Sequence, residues 1–153
     1  MSVHSEKAKD LFLDGYNCAQ AVFCAFSDVV CIDFATASKL SSSFGGGMGR
    51  MREVCGAVSG MFMVAGILYG PAYPDDQDAK MEHYARIQEL ARRFKAENGS
   101  IICRELLSGI PAGASTDAKP EARTQAYYKK RPCGEYVECA ARIMDEYIKE
   151  NPV

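Results

Sequence analysis

The seven cysteines of this 153-residue chain include no C-x-x-C pair, which removes the zinc ribbon, the thioredoxin-type site and the usual ferredoxin run from consideration. There is no C-x-x-C-H for attached haem either. Net charge is also scarce. A formal −2 leaves no large basic field for nucleic acid or anionic lipid, so no nucleic-acid partner is expected. The opening residues, MSVHSEKAKDLFLDGY, lack the uninterrupted apolar core and small-residue cleavage site of a signal peptide, and a cytoplasmic location is expected. In that reducing compartment a disulfide framework is not expected, and metal binding or redox chemistry is the better use for some of the cysteines. No segment alternates at a period of two, and no internal repeat is visible.

What the chain does contain reads as helix after helix. Residues 54 to 70, VCGAVSGMFMVAGILYG, carry no charge and are apolar or small on every side, the pattern of a helix surrounded by other elements. Gly56 and Gly60 lie four apart. A glycine inside a helix costs on the order of 1 kcal/mol relative to alanine, and close backbone packing is the usual compensation. Either another element of the same chain or a homodimer partner could cover that face. The stretch is as long as the shortest membrane spans, but a buried core helix explains the same residues, and no membrane span is expected. The expected fold is therefore all-α, a compact multi-helix bundle around this central helix, with residues 1–153 as a single helical domain.

Around the centre, residues 3 to 13 form a short amphipathic helix ended by Gly15. Asn17 and Gln20 make a capping-box pattern, so a second helix starts at Cys18 with a stripe of Cys18, Ala21, Val22, Ala25 and Val29. Asp33 caps a third, FATASKLSSSF. The longest pattern follows PAYPDDQD and runs to Asn98, with Tyr84, Ile87, Leu90, Ala91 and Phe94 on one face. Ser100 caps a short helix carrying Cys103, Leu106, Leu107 and Ile110. SGIPAGASTDAKPEA is the one long loop, and Pro132 suits the first turn of a last helix striped by Cys133, Val137, Ala141, Met144 and Ile148.

These helices divide the cysteines. Cys18, Cys55, Cys103 and Cys133 each fall within the first turn or so of a helix, where unpaired N–H groups and a partial positive charge favour thiolate. Cys24, Cys31 and Cys139 look incidental. Four converging thiolates could hold a metal or an iron–sulfur cluster, and two could form a reversible disulfide; the plain alternative is that free cysteine simply fills a core.

The blocks YNCAQAV at Cys18, the glycine run leading to CGAVSG at Cys55, SIICRELL at Cys103 and RPCGEYV at Cys133 resemble, in spacing and order, the C_GCAxxG_C_C family of putative redox-active proteins. The chain reads Cys-Gly-Ala where the family label reads Gly-Cys-Ala. The resemblance covers nearly the whole chain and implies four cysteines engaged in redox chemistry or in holding a prosthetic group, with an unidentified redox partner. Three functions are thus open: a redox protein whose Cys18, Cys55, Cys103 and Cys133 converge as cluster ligands or exchanging thiols, a binding module with structural zinc, and a helical interaction protein with core-filling cysteines.

Gly45, Gly46, Gly47 and Gly49, with Arg50 and Arg52, could cradle a small anion or redox cofactor beside Cys55. Neither G-x-G-x-x-G nor G-K-[ST] can be written over the run, so a nucleotide site is not the preferred reading. His83 reads as a boundary histidine rather than a ligand or proton carrier. YYKKR, residues 127 to 131, reads as a solvated turn whose charge could lower the Cys133 pKa. Met48, Met51, Met61 and Met63 are expected in the core.

Overall fold

The computed structural model of the chain describes residues 2–153. In chain order the helices are α1 (Val3–Leu13), α2 (Cys18–Ala25), α3 (Ser27–Val30), α4 (Phe34–Ser41), α5 (Gly56–Tyr69), α6 (Gln77–Asn98), α7 (Cys103–Leu106), α8 (Gln125–Lys130) and α9 (Cys133–Glu150), with a 3-10 turn at Ser42–Phe44. Among the described residues there is no strand, and the fold is all-α. One isolated antiparallel bridge joins Val54 to Ile102.

Local chemistry sets the helix starts. Asn17 Oδ1 accepts from the Gln20 N–H at 2.9 Å while the Asn17 N–H donates to Gln20 Oε1 at 3.0 Å, the capping box expected ahead of α2. The same side chains reach onward: Gln20 donates to the Ser38 carbonyl and Asn17 to the Ser42 carbonyl, tying the start of α2 to α4 and the 3-10 turn. Asp33 caps α4 through Thr36, and Asp76 caps α6 through Ala79. Gly99, at φ 90°, closes α6 in the left-handed conformation that glycine adopts without penalty.

The central helix is buried through its first half, whereas its end is not surrounded as expected, with Ile67 51% exposed. Gly56, Ala57, Val58, Ser59, Gly60 and Met61 are all buried in α5. A Cβ on Gly60 would lie 2.8 Å from the Ala19 carbonyl oxygen, and one on Gly56 would lie 3.1 Å from the Ala19 nitrogen. The glycine face is therefore covered by α2 of the same chain, whose backbone comes close enough that no side chain fits between. Gly66 has open space around its Cβ position and carries no such contact. α9 and α2 flank α1, and Phe12, Phe23, Phe26, Phe94 and Met144 fill the core between these helices. Each side chain of that size contributes about 1.5–3 kcal/mol by leaving water.

The structure departs from the sequence reading in several places. The helix beginning at Cys18 does not run unbroken to Val29; it breaks at Phe26 into α2 and α3, and Cys31 ends α3 in the left-handed region at φ 57°. Tyr84 is 65% exposed, and the buried residues of α6, Leu90 and Phe94, both lie in its second half. Residues 127–131 are no solvated turn: they belong to α8 and its cap, with Lys129 and Lys130 outside and Arg131 buried. Met61 is core, whereas Met51 is 59% exposed beyond the glycine run. No helix among the described residues is long and apolar enough to cross a membrane.

Candidate functional site

Each of the four cysteines is placed by a local device. Cys18 is the first residue of α2, fixed by the Asn17 capping box. Cys55 is the N-cap of α5, and its N–H donates to the Ile101 carbonyl at 2.8 Å. Cys103 opens α7 and donates its own N–H to the Glu53 carbonyl at 2.6 Å, so the short bridge holds Cys55 and Cys103 on adjoining strands of backbone. Cys133 opens α9 immediately after Pro132. All four line one cavity of about 470 Å³. Cys24 is buried in the core, Cys31 is exposed, and Cys139 is half-buried beside Asn98 and Arg142; none of these three reaches that cavity.

The glycine run forms one wall. Gly45, Gly46, Gly47, Gly49 and Arg50 all line the cavity. From Gly46 to Arg50 five successive residues have φ between 58° and 70°, and Arg52 follows at 60°. Left-handed backbone costs a residue with a Cβ roughly 1–2 kcal/mol, so Met48, Arg50 and Arg52 hold this turn against their own preference. Glycine is obligatory at 47, where a Cβ would meet the Cys103 Cβ at 2.6 Å and the Glu53 nitrogen at 2.7 Å. The run thus lets the backbone press against Cys103, and carries Arg50 and Arg52 to the same side.

The sulfurs do not share one state. Cys18 and Cys133 act on each other across the cavity wall, and the influence of Cys133, followed by burial, pushes the Cys18 thiol well above its usual range. The neighbouring Cys18 draws the Cys133 thiol down; burial opposes this, and Arg131, Arg123 and Arg52 assist it. Cys55 is pushed up to about 12 because burial outweighs the help from the Val58 and Ala57 N–H groups. Burial also raises Cys103, although Arg52 Nη1 donates to its Sγ at 3.7 Å. Placement at a helix amino terminus is therefore not enough to make a thiolate. Of the four, only Cys133, with Cys18 and three guanidinium groups acting on it, is lowered.

Residues without a signal in the sequence complete the wall. Arg123, from the loop before α8, donates to the Phe12 and Tyr16 carbonyls and lies over the Phe12 ring at 4.4 Å. Tyr127 and Tyr136 face the cavity, and burial pushes the Tyr127 phenol up to about 12, which keeps it protonated. Arg131, within the YYKKR run, does act on Cys133 as that run suggested. A lone arginine in an alanine- and proline-rich loop gave no comparable signal for Arg123.

His83 lies outside the cavity. It is half-buried on α6, and its Nδ1 accepts from Arg86 at 3.0 Å, since a guanidinium can only donate. Burial and that cation lower its pKa.

Among the described residues no three histidine, cysteine, aspartate or glutamate side chains are grouped so as to hold one metal ion. A mononuclear zinc site, which takes three or four such donors around one centre, does not fit this arrangement.

The pattern of one protein family matches residues 16–147, and its description reads "Putative redox-active protein (C_GCAxxG_C_C)". No curated protein and no solved structure shows a match to the chain. The matched segment contains all four cavity cysteines, the glycine run and both tyrosines of the wall. With that span covering most of its length, the chain belongs to the C_GCAxxG_C_C family of putative redox-active proteins.

Proposed function

We propose that the protein is a dithiol–disulfide redox protein in which Cys133 is the attacking thiolate and Cys18 the resolving thiol. The observation that carries this reading is the placement of Cys18 and Cys133 together on the wall of one arginine-lined cavity. Three guanidinium groups, Arg131, Arg123 and Arg52, favour the charged form of Cys133, and the neighbouring Cys18 adds to it. Cys55 and Cys103, both raised by burial, stay protonated at neutral pH.

The exchange follows from that polarity. The Cys133 thiolate attacks a disulfide R–S–S–R′, forming a mixed disulfide with R–S and breaking the S–S bond. The departing R′S⁻ takes the Cys18 proton and leaves as R′SH. The Cys18 thiolate then attacks Cys133 Sγ, closes the Cys18–Cys133 disulfide and releases RS⁻. Two electrons pass from the protein dithiol to the substrate. A separate dithiol donor, the redox partner, restores the reduced protein by the reverse exchange. Cys133 is only 7% exposed, so substrate reaches it through the cavity and not across an open surface.

Two substitutions test the roles. Cys133→Ser is expected to lower the rate of reaction with a small aromatic disulfide at least about a hundredfold, since a hydroxyl is not a nucleophile at neutral pH. Cys18→Ser is expected to leave the first attack in place and to accumulate the mixed disulfide on Cys133, visible by intact-protein mass. Full exchange activity in Cys133→Ser would overturn the assignment.

A thiolate-held iron–sulfur cluster is the second reading, favoured by four thiols on a single cavity, the donor set such a cluster takes. Its signature would be iron with acid-labile sulfide in protein purified without oxygen, lost when any one of the four cysteines is replaced.

A further inference from the structure

The fixed charges around the cavity are unbalanced. Four arginines, Arg50, Arg52, Arg123 and Arg131, line it with one carboxylate, Glu121, in a chain whose net charge is −2. Arg131 pairs with Glu121 at 2.7 Å. Among the described residues the other three have no carboxylate partner: Arg50 donates to the Asp117 carbonyl, Arg52 to that of Ser115, and Arg123 to those of Phe12 and Tyr16. Only one of the four thiols is lowered, so thiolate does not offset three guanidinium groups.

Arg52 decides the matter. It is 3% exposed, and its Nη2 is buried with no hydrogen-bond partner. Its Nη1 donates to Cys103 Sγ on the cavity wall, which turns that edge of the guanidinium toward the thiols. A buried cation with an unused donor is unfavourable until an acceptor arrives. Beside it, the N–H groups of Gly46, Gly47 and Gly49 donate to no acceptor among the described residues, whereas the Met48 N–H between them donates to the Phe44 carbonyl at 3.3 Å, and those of Arg50, Arg52 and Glu53 are taken up within the turn. The two adjacent free amides of Gly46 and Gly47, in a turn, are the kind of backbone concavity that binds an anion. A volume of about 470 Å³ suits a small molecule and not a protein side chain alone.

We infer that this cavity selects a small anionic molecule, and that the disulfide reduced at Cys133 is a low-molecular-weight one bearing carboxylate or similar oxyanion groups held by Arg52, Arg50 and the Gly46, Gly47 and Gly49 amides. The choice of substrate rests on the dithiol reading; the anion site itself does not. The reaction is the exchange written above, with R and R′ anionic and two anionic thiols as products.

The test uses the reduced full-length protein and has two arms. In the first, 3,3′-dithiodipropionate, bis(2-hydroxyethyl) disulfide and cystamine, which are anionic, neutral and cationic, are compared as substrates, each rate divided by its rate with dithiothreitol. The anionic disulfide is expected to lead the neutral one by about tenfold at low salt, with the lead shrinking as salt is added. Equal rates for the three, or a lead for cystamine, would overturn the inference. In the second arm, suberate, the unreactive carbon isostere of dithiodipropionate, is titrated by calorimetry. It is expected to bind one per chain, with affinity falling about tenfold or more in Arg52→Gln. Should Arg52→Gln fail to fold by circular dichroism, the half-buried Arg50→Gln carries the same comparison with a smaller loss. No suberate binding at millimolar concentration would overturn the anion site. Suberate binding without reduction of any disulfide would leave the anion site standing and remove the dithiol reading instead.

Discussion

At the scale of single residues, the cavity separates four chemically identical side chains by environment. Cys55 shows how strongly burial acts: its thiol stands at about 12 against an ordinary 9.0. A folded-state pKa above the unfolded one means that the native state prefers the proton, so this group's contribution is complete below pH 9 and is lost as pH rises toward 12. The full difference corresponds to roughly 4 kcal/mol, and about half of it has gone by pH 10.5. Cys55→Ala is therefore expected to be less stable than the parent at pH 8 through lost packing, and to close that gap by roughly 2 kcal/mol at pH 10.5. Urea midpoints at the two pH values measure this directly, and a gap that stays constant would contradict the burial argument. Cys133 has the opposite sign. Its pKa is lowered, so its contribution is present above the ordinary thiol range and fades as pH falls through the folded value.

At the scale of elements, α5 is held by where its glycines meet α2. Gly60→Ala would push a methyl group to 2.8 Å from the Ala19 carbonyl, a backbone atom that cannot turn aside. The expected loss is about 1–3 kcal/mol. Gly66→Ala meets nothing within 4 Å, and is expected to leave stability unchanged or raise it by up to about 1 kcal/mol through helix propensity. Thermal melts of the two variants check the contrast, and similar losses in both would mean that the glycines act through the backbone alone. The packing role of Gly56 and Gly60 was legible from their four-residue spacing within an uncharged run, as were the Asn17 and Gln20 cap and the Gly99 stop. The break at Phe26 was not, because the apolar spacing continues through it and only tertiary packing divides α2 from α3. α8 was missed for a related reason: six residues ahead of a proline carry too little periodic pattern to separate a short helix from a turn.

At the scale of the whole molecule, four helix starts far apart in sequence meet around one cavity, and family membership gives that meeting a redox context. The cysteine set was legible from helix starts, clearest at Cys18 behind the Asn17 cap, although α7 begins from Ile102 and not from the Ser100 cap expected for it; Arg50 and Arg52 were legible because they adjoin the glycine run. Which thiol is lowered was not legible, since it depends on Cys18 and Cys133 becoming neighbours and on Arg123 arriving from a loop with no pattern of its own. The proposed exchange depends on that pair. The most direct measurement equilibrates the protein, purified without oxygen, in thiol–disulfide buffers of graded potential, counts free thiols and maps the linked peptides. Oxidation is expected to remove two of the seven thiols in one reversible two-electron step and to yield a single Cys18–Cys133 linkage, with Cys55 and Cys103 still free. Seven free thiols across the whole range, or a first disulfide that leaves out Cys133, would contradict it.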